Sequence, residues 1–284
     1  MRREEDGRQT RPVGIIALDL DGTLLDSNKN LSERNRAALE KAAAAGYEIV
    51  PTTGRLFHGM PEEIRSLPFL HYAITINGAQ VENVTTGQVL YRAEIPWKQA
   101  IDIMQWLETY PVIYDCYMDN RGWMTIAMLD QVDEVVEDIH YRKLIHDLRI
   151  PVEELKDFLA QRQQDVQKIQ FFVTRPELKP EMIGKLPQVF EGIVASSAIS
   201  QNVEVNQSRA NKGDALLALA DHLGVPHEKT FAFGDGLNDL TMIEKAGVGI
   251  AMANGFPEAR EVADWITASC DEDGVAVGIE KFCF

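Results

Sequence analysis

The segment Val13–Ser27, VGIIALDLDGTLLDS, restricts the fold more than any other part of the chain. Its apolar run, Val13–Leu18, is too short for a helix and rich in β-branched residues. That predicts a strand covered on both faces, as inside a parallel sheet. Asp19 and Asp21 follow at once, and Gly22 and Thr23 turn the chain. In open α/β sheets ligands bind beyond the carboxyl ends of the strands, so both carboxylates stand where chemistry is expected. Carboxylates placed directly after a core strand must be hydrated, paired or metal-bound, because burying them alone is costly. A metal bridging Asp19 to a phosphate meets that need; an ordinary strand-end turn, in which Asp and Gly are common, is the alternative. Spacing excludes other motifs. An EF-hand loop wants glycine at its sixth position, and Gly22 is fourth from Asp19. Neither G-x-x-x-x-G-K-[ST] nor G-x-G-x-x-G occurs.

Charge narrows the partners. Lys and Arg number 28 against 44 Asp and Glu, a formal net charge of −16 over 284 residues. Such a surface repels nucleic acid and anionic membranes, so neither is expected as a partner. It also repels a phosphorylated ligand at long range, so a phosphate site must carry its own positive charge. Cys116, Cys270 and Cys283 are few and widely spaced; they fit neither a disulfide framework nor a zinc site and point to a reducing, cytoplasmic setting. No stretch approaches membrane-spanning length. Residues 1–12 are polar, lack the apolar segment of a signal peptide, and are expected to form a disordered tail.

Along the chain, Ser32 is a plausible N-cap for a helix that Gly46 stops. Tyr47–Pro51 reads as a second strand, ending in Thr52, Thr53, Gly54 and Arg55. A hydroxyl, a glycine amide and a guanidinium there can hold a phosphate, or form a plain polar turn. Tyr72–Ile76 is a third strand, ending in Asn77-Gly78-Ala79. From about residue 83 to 205 the rhythm changes. Short strands (Val89–Ala93, Val112–Tyr117, Trp123–Ala127, Val166–Val173) lie between amphipathic helices (Trp97–Thr109, Val132–Leu148, Val152–Gln163), which predicts an α+β domain. Strand–helix alternation then returns. Asn211-Lys212-Gly213 opens a helix over Asp214–Leu223; lysine in a first turn opposes the macrodipole, as an anion bound there would justify, although a solvated lysine is equally possible. Strand Thr230–Phe233 leads into Gly234-Asp235-Gly236-Leu237-Asn238-Asp239. Helix Leu240–Lys245, strand Val248–Met252, helix Glu258–Val262, strand Trp265–Ile266 and a closing helix over Glu272–Phe282 complete the chain.

Four strand ends thus carry polar groups, namely Asp19 with Asp21, Thr53, Asn77, and Asp235–Asp239, while Lys212 starts a helix. In a parallel sheet these ends share one side. The set resembles the haloacid dehalogenase-like hydrolase superfamily, and within it the Cof-type sugar phosphatases. The resemblance is carried by DLDGTLLDS at 19–27, TTGR at 52–55, NGA at 77–79, NKGDAL at 211–216, GDGLNDLTMIEKAGVGIAMANG at 234–255 and EDGVAVGIEKF at 272–282. Small departures (Pro51-Thr52, Arg209, Gly255) spare the carboxylates and the lysine.

The resemblance implies an α/β fold: a Rossmann-like parallel-sheet core over residues 13–82 and 206–284, with an α+β cap domain inserted over 83–205. It implies an Mg²⁺-dependent phosphatase acting on a small phosphorylated substrate, such as a sugar phosphate. Asp19 would be the nucleophile and Asp21 the general acid and base. Asp19, the Asp21 backbone carbonyl and Asp235 would bind Mg²⁺. Thr53, Gly54, Lys212 and Asn238 would hold phosphate, with Asp239, Arg55 and Asn77 in support. A phosphomutase and a non-catalytic phosphometabolite-binding regulator are the competing readings. The substrate is not legible: Asp115, Tyr117, Asp119 and Trp123 are conceivable contacts, with ordinary packing the better account of each. A monomer or small homo-oligomer is expected.

Overall fold

The computed structural model describes residues 11–197 and 201–284. The expected tail over residues 1–12 therefore lies outside the described residues, apart from its last two. Strands β1 (Gly14–Leu18), β2 (Tyr47–Pro51), β3 (Tyr72–Thr75), β4 (Gln80–Asn83) and β5 (Val89–Arg92) come first. Then follow β6 (Val112–Met118), β7 (Arg121–Thr125), β8 (Arg149–Val152), β9 (Lys168–Val173), β10 (Ile193–Ser196) and β11 (Asn202–Gln207). The last are β12 (Thr230–Gly234), β13 (Val248–Ala251) and β14 (Trp265–Ile266). The chain divides into two compact units, one joining the residues up to Arg92 with Asn211–Phe284, the other spanning Ala93–Ala210.

The first unit is built on a parallel sheet of order β14-β13-β12-β1-β2. Every residue of β1 is buried, as its unbroken apolar run predicts. Alternate side chains serve two cores. Ile16 and Leu18 join Leu39, Phe233, Ile250, Val275 and Ile279 on one face. Ile15 and Ala17 join Val50, Leu216, Leu219, Ala232 and Met242 on the other. The first face is covered by the helices Glu33–Ala44 and Gly274–Phe282, the second by Lys212–Leu223 and Leu240–Lys245. Ser32 caps its helix as expected, accepting from the Asn35 amide at 3.1 Å. The register pairs Leu18 with both Pro51 and Phe233, so Asp19, Thr52 and Gly234 stand at one level at the end of the sheet. A small antiparallel sheet, β3-β4-β5, completes this unit. The insertion expected over residues 83–205 differs from the second unit at both ends: β5 pairs with β4 in the first unit, and the second unit runs Ala93–Ala210.

The second unit is a six-stranded sheet of order β10-β11-β9-β6-β7-β8, antiparallel except for β7 with β8. One face is apolar: Tyr114, Cys116, Met118, Ile169, Phe171, Val203 and Val205 pack in one cluster with residues of the helices Trp97–Leu107, Leu155–Arg162 and Lys179–Val189. The continuous helix expected over Val132–Leu148 is instead two, Val132–Val135 and Ile139–Leu148. Asp138 breaks it, accepting from the Tyr141 amide at 2.9 Å as an N-cap does. The helix expected from Val152 begins at Leu155, because Arg149–Val152 is drawn into the sheet as edge strand β8, where Pro151 is tolerated. Strand β7 likewise starts and ends earlier than expected, with Ile126–Leu129 helical. Among the described residues no helix is long and apolar enough to cross a membrane.

Candidate active site

Every residue singled out from the sequence as a core-site candidate lies in the first unit. Asp19 follows β1 directly, its amide donating to the Phe233 carbonyl at 3.0 Å. Its carboxylate accepts from Lys212 Nζ at 2.6 Å. Lys212 is the first residue of its helix and has no exposed surface. Its ammonium also reaches Asp239 Oδ1 at 2.6 Å. Of the two readings open for this lysine, solvated or anion-bound, the structure shows the second, and the anions are two of the protein's own carboxylates. The other oxygen of Asp239 accepts from the Asp235 and Gly236 amides, at 3.0 and 2.8 Å, which ties the 234–239 loop to Lys212.

Asp235 is held from across the sheet. Thr23 Oγ1 donates to its Oδ1 at 2.9 Å. Gly22, at φ +88°, brings the chain so close that a Cβ there would lie 2.5 Å from Asp235 Oδ2. Only glycine serves at that turn, for both its φ and the close approach. Carboxylate oxygens of Asp19, Asp235 and Asp239 lie within 4.8 Å of one another. Burial, and next the charge of Asp239, push the Asp19 carboxyl well above the usual range despite Lys212. The same two causes raise Asp235 to about 6.

Asp21 has a different environment. Its carboxylate receives Arg55 Nε and Nη2, both at 2.8 Å, in a two-pronged pair, and Lys29 Nζ at 3.0 Å. Burial pushes its carboxyl up, but Arg55 and then Lys29 outweigh it and hold it below the usual range. Arg55, expected as a support, is therefore the principal partner of Asp21, and its Nη1 donates to the Gly59 carbonyl at 3.1 Å.

Thr53 is buried; its amide donates to the Ile74 carbonyl at 2.9 Å and its hydroxyl accepts from the Arg55 amide at 3.2 Å. Asn77 stands beside Gly54, and its Oδ1 accepts from Asn238 Nδ2 at 3.3 Å. The fold thus brings the threonine loop, the asparagine turn and the 234–239 loop together around Asp19 and Lys212. Three contacts escaped the sequence reading. Thr23 lies within the DLDGT motif, where the sequence marks it only as part of the turn. Lys29 carries no sequence signal. Asn254 grips the 19–27 turn by donating to the Gly22 carbonyl at 2.8 Å, and its other end accepts from the Cys270 amide at 2.9 Å.

The donor set suits a hard divalent cation: carboxylate and carbonyl oxygens, with no sulfur or imidazole. Asp239 is already engaged through both oxygens, by Lys212 and two amides. That leaves Asp19 and Asp235 as the carboxylates able to ligate.

The sequence model of haloacid dehalogenase-like hydrolases matches residues 16–279, nearly the whole chain. The chain belongs to that family. Its motifs place it among the Cof-type members, and it is an enzyme, a phosphoric monoester hydrolase. The putative phosphatase YxeH of Bacillus subtilis is 33% identical over 277 residues, covering 94% of this chain and 97% of the relative. The phosphatase YwpJ of the same organism is 31% identical, covering 92% and 97%. Among solved structures, that of the subclass IIB sugar phosphatase BT4131 superposes with a TM-score of 0.80 at 24% identity, over 95% of this chain and 99% of the other. At that identity the likeness concerns the fold.

Proposed function

We propose that the protein is an Mg²⁺-dependent phosphatase of small phosphorylated metabolites, sugar phosphates foremost, acting through an aspartyl-phosphate on Asp19. The observation that carries this reading is the buried Asp19–Lys212–Asp239 array at the crest of a parallel sheet, with Asp235 beside it. A nucleophile attacking a phosphate dianion needs positive charge at hand. The chain's net charge works against it, and Lys212 supplies that charge locally. Asp19, Asp235 and the Asp21 carbonyl would hold Mg²⁺, which when bound offsets the repulsion between carboxylates and phosphate. Asp19 attacks phosphorus, and the bond to the leaving alkoxide breaks as Asp21 gives it a proton. Arg55 and Lys29 hold Asp21 ionised in the free protein, so this step requires that substrate draw those cations away and that Asp21 be protonated first. Asp21 then takes a proton from the water that hydrolyses the acyl phosphate. Thr53, Gly54 and Asn238 orient the phosphoryl oxygens.

The second unit, Ala93–Ala210, is read as the cap that selects the leaving group, since the hydrolytic residues recognise only the phosphate. Sugar phosphates are favoured by the resemblance of the motifs to those of the Cof-type sugar phosphatases. A cytoplasmic setting agrees with three unbridged cysteines. The test is release of orthophosphate from p-nitrophenyl phosphate and from a panel of sugar phosphates, with Mg²⁺ and again in excess EDTA. Turnover with Mg²⁺ and its loss in EDTA are expected, together with loss in Asp235→Ala. Undiminished turnover in EDTA would refute the metal assignment, and isomerised sugar phosphate in place of orthophosphate would make the enzyme a mutase.

A further inference from the structure

The turn after β3 is strained. Ile76, Asn77 and Gly78 are three successive left-handed residues, with φ of 54°, 58° and 91°. Asn and Gly accept this conformation; a β-branched residue there is an outlier that its surroundings must enforce. The enforcement comes from the threonine loop. The Ile76 amide donates to the Arg55 carbonyl at 3.1 Å and the Asn77 amide to the Thr53 carbonyl at 3.0 Å, while the Ile76 side chain is fully buried.

What the turn touches is informative. Asn77 Oδ1 accepts from Asn238 Nδ2 at 3.3 Å. A Cβ on Gly54 would lie 2.6 Å from that same Oδ1. A Cβ on Gly78 would lie 2.3 Å from the Asn211 carbonyl oxygen and 2.9 Å from the Lys212 nitrogen. One left-handed turn therefore meets the Thr53–Arg55 loop, the Asn238 loop and the start of the Lys212 helix. These three segments are distant in sequence.

We propose that the Ile76–Gly78 turn sets the mutual register of the phosphate-holding groups, and that Asn77 is its positioning residue. The Asn77 carboxamide fixes Gly54 and Asn238 against each other without touching the reacting atoms. The inference rests on the phosphatase reading for what those groups hold, and on the turn's own geometry for the rest. Strain of this kind persists where the surroundings over-determine it, and a turn that served only to start β4 would need neither Ile at φ 54° nor a carboxamide aimed at Asn238.

Asn77→Gly is the decisive variant. Glycine keeps the left-handed backbone at no steric cost and deletes only the carboxamide. Asn77→Asp keeps an oxygen acceptor for Asn238 Nδ2. For each variant, kcat and KM on p-nitrophenyl phosphate, orthophosphate affinity by calorimetry and the thermal midpoint are measured. In Asn77→Gly, kcat/KM and orthophosphate affinity are expected to fall about tenfold, the scale of a lost positioning hydrogen bond, while the midpoint moves by less than about 4 °C. Asn77→Asp should recover part of the loss. Asn238→Ala should lose a similar factor, and the double variant should be no worse than about twofold below the poorer single, because the two act as one unit.

Multiplying losses in the double variant would overturn the proposal. So would unchanged orthophosphate affinity in Asn77→Gly, or an activity loss that tracks a collapse in midpoint and is not eased in Asn77→Asp. Wild-type protein whose orthophosphate affinity falls in Asn77→Gly but which turns over no ester would defeat the phosphatase reading and leave the register proposal standing.

Discussion

Asp19 and Asp21 are two residues apart and sit in opposite fields. Asp19 is buried among carboxylates with one ammonium; Asp21 is a third exposed and gripped by Arg55 and Lys29. The two asparagine variants should therefore fail differently. Asp19→Asn removes the attacking oxyanion, and no phospho-enzyme should form on any substrate. Asp21→Asn spares the nucleophile and loses proton transfer, a role worth about 10² to 10⁴ in rate. That loss should be large for an alkyl sugar phosphate and small for p-nitrophenyl phosphate, whose leaving group needs no proton. Acid quench and intact-mass measurement should find accumulated phospho-enzyme in Asp21→Asn. Equal losses on both substrates with no trapped adduct would remove Asp21 from the acid–base role. At this scale the sequence was most legible where a motif groups residues: Asp19, Asp21, Asp235 and Asp239 could all be named in advance. The contact of Asp19 with Lys212 spans 193 residues. Parallel strands ending on one side bring both groups to that side, but the pairing itself shows only in the structure. The pairing of Asp21 with Lys29 depends on the path of a loop, which no spacing encodes.

Elements were legible in proportion to how far local sequence decides them. Strand β2 and the helix Leu240–Lys245 fall where periodicity and flanking signals put them. The helix Lys179–Val189 was missed, because it contains Pro180, Gly184 and Pro187, each a breaker. Pro180 is tolerated in the first turn, and burial of Met182 and Leu186 offsets the rest. Strand β8 was missed because pairing with β7, not propensity, makes it a strand. β8 also delivers Arg149 to the polar face of its sheet, where Nε meets Asp115 Oδ2 at 2.9 Å and Nη2 donates to Tyr117 at 2.7 Å. Both members of the ion pair are fully buried. Asp115 and Tyr117, conceivable as substrate contacts, are thus engaged with Arg149, while Asp119 pairs with Arg162 and Trp123 packs on Phe158. Burying an ion pair is a poor way to gain stability, but breaking one strands a charge. Asp115→Asn should cost about 3–5 kcal/mol in denaturant unfolding. Adding Arg149→Met should restore most of it, since an apolar replacement of a buried pair is commonly neutral or better. A double variant less stable than Asp115→Asn alone would show that the pair itself holds the sheet together.

For the whole molecule the decisive quantity is a formal net charge of −16 on an enzyme whose substrate is an anion. Two fields compete. The distributed surface charge repels the substrate over distances comparable with the protein, and at about 0.15 M salt, where the Debye length is near 8 Å, most of that repulsion is screened. The attraction from Lys212 acts over a hydrogen bond's length inside a site with no solvent exposure at the lysine, and salt screens such buried contacts much less. Raising KCl from about 0.01 to 0.15 M at constant free Mg²⁺ should therefore remove more repulsion than attraction, and kcat/KM should rise, by about two- to fivefold on the modest end of steering effects. The rise should be steeper for a bisphosphate than for a monophosphate, because the long-range term scales with substrate charge, and it should reside in KM more than in kcat. A flat or falling profile would mean that local cations, Lys29 and Arg55 among them, govern approach even at a distance. Charge reversal of exposed carboxylates of the first unit that take no part in the site, such as Glu40 and Glu280, separates the two. If the distributed field governs, those variants should raise kcat/KM at low salt and converge with the wild type at high salt.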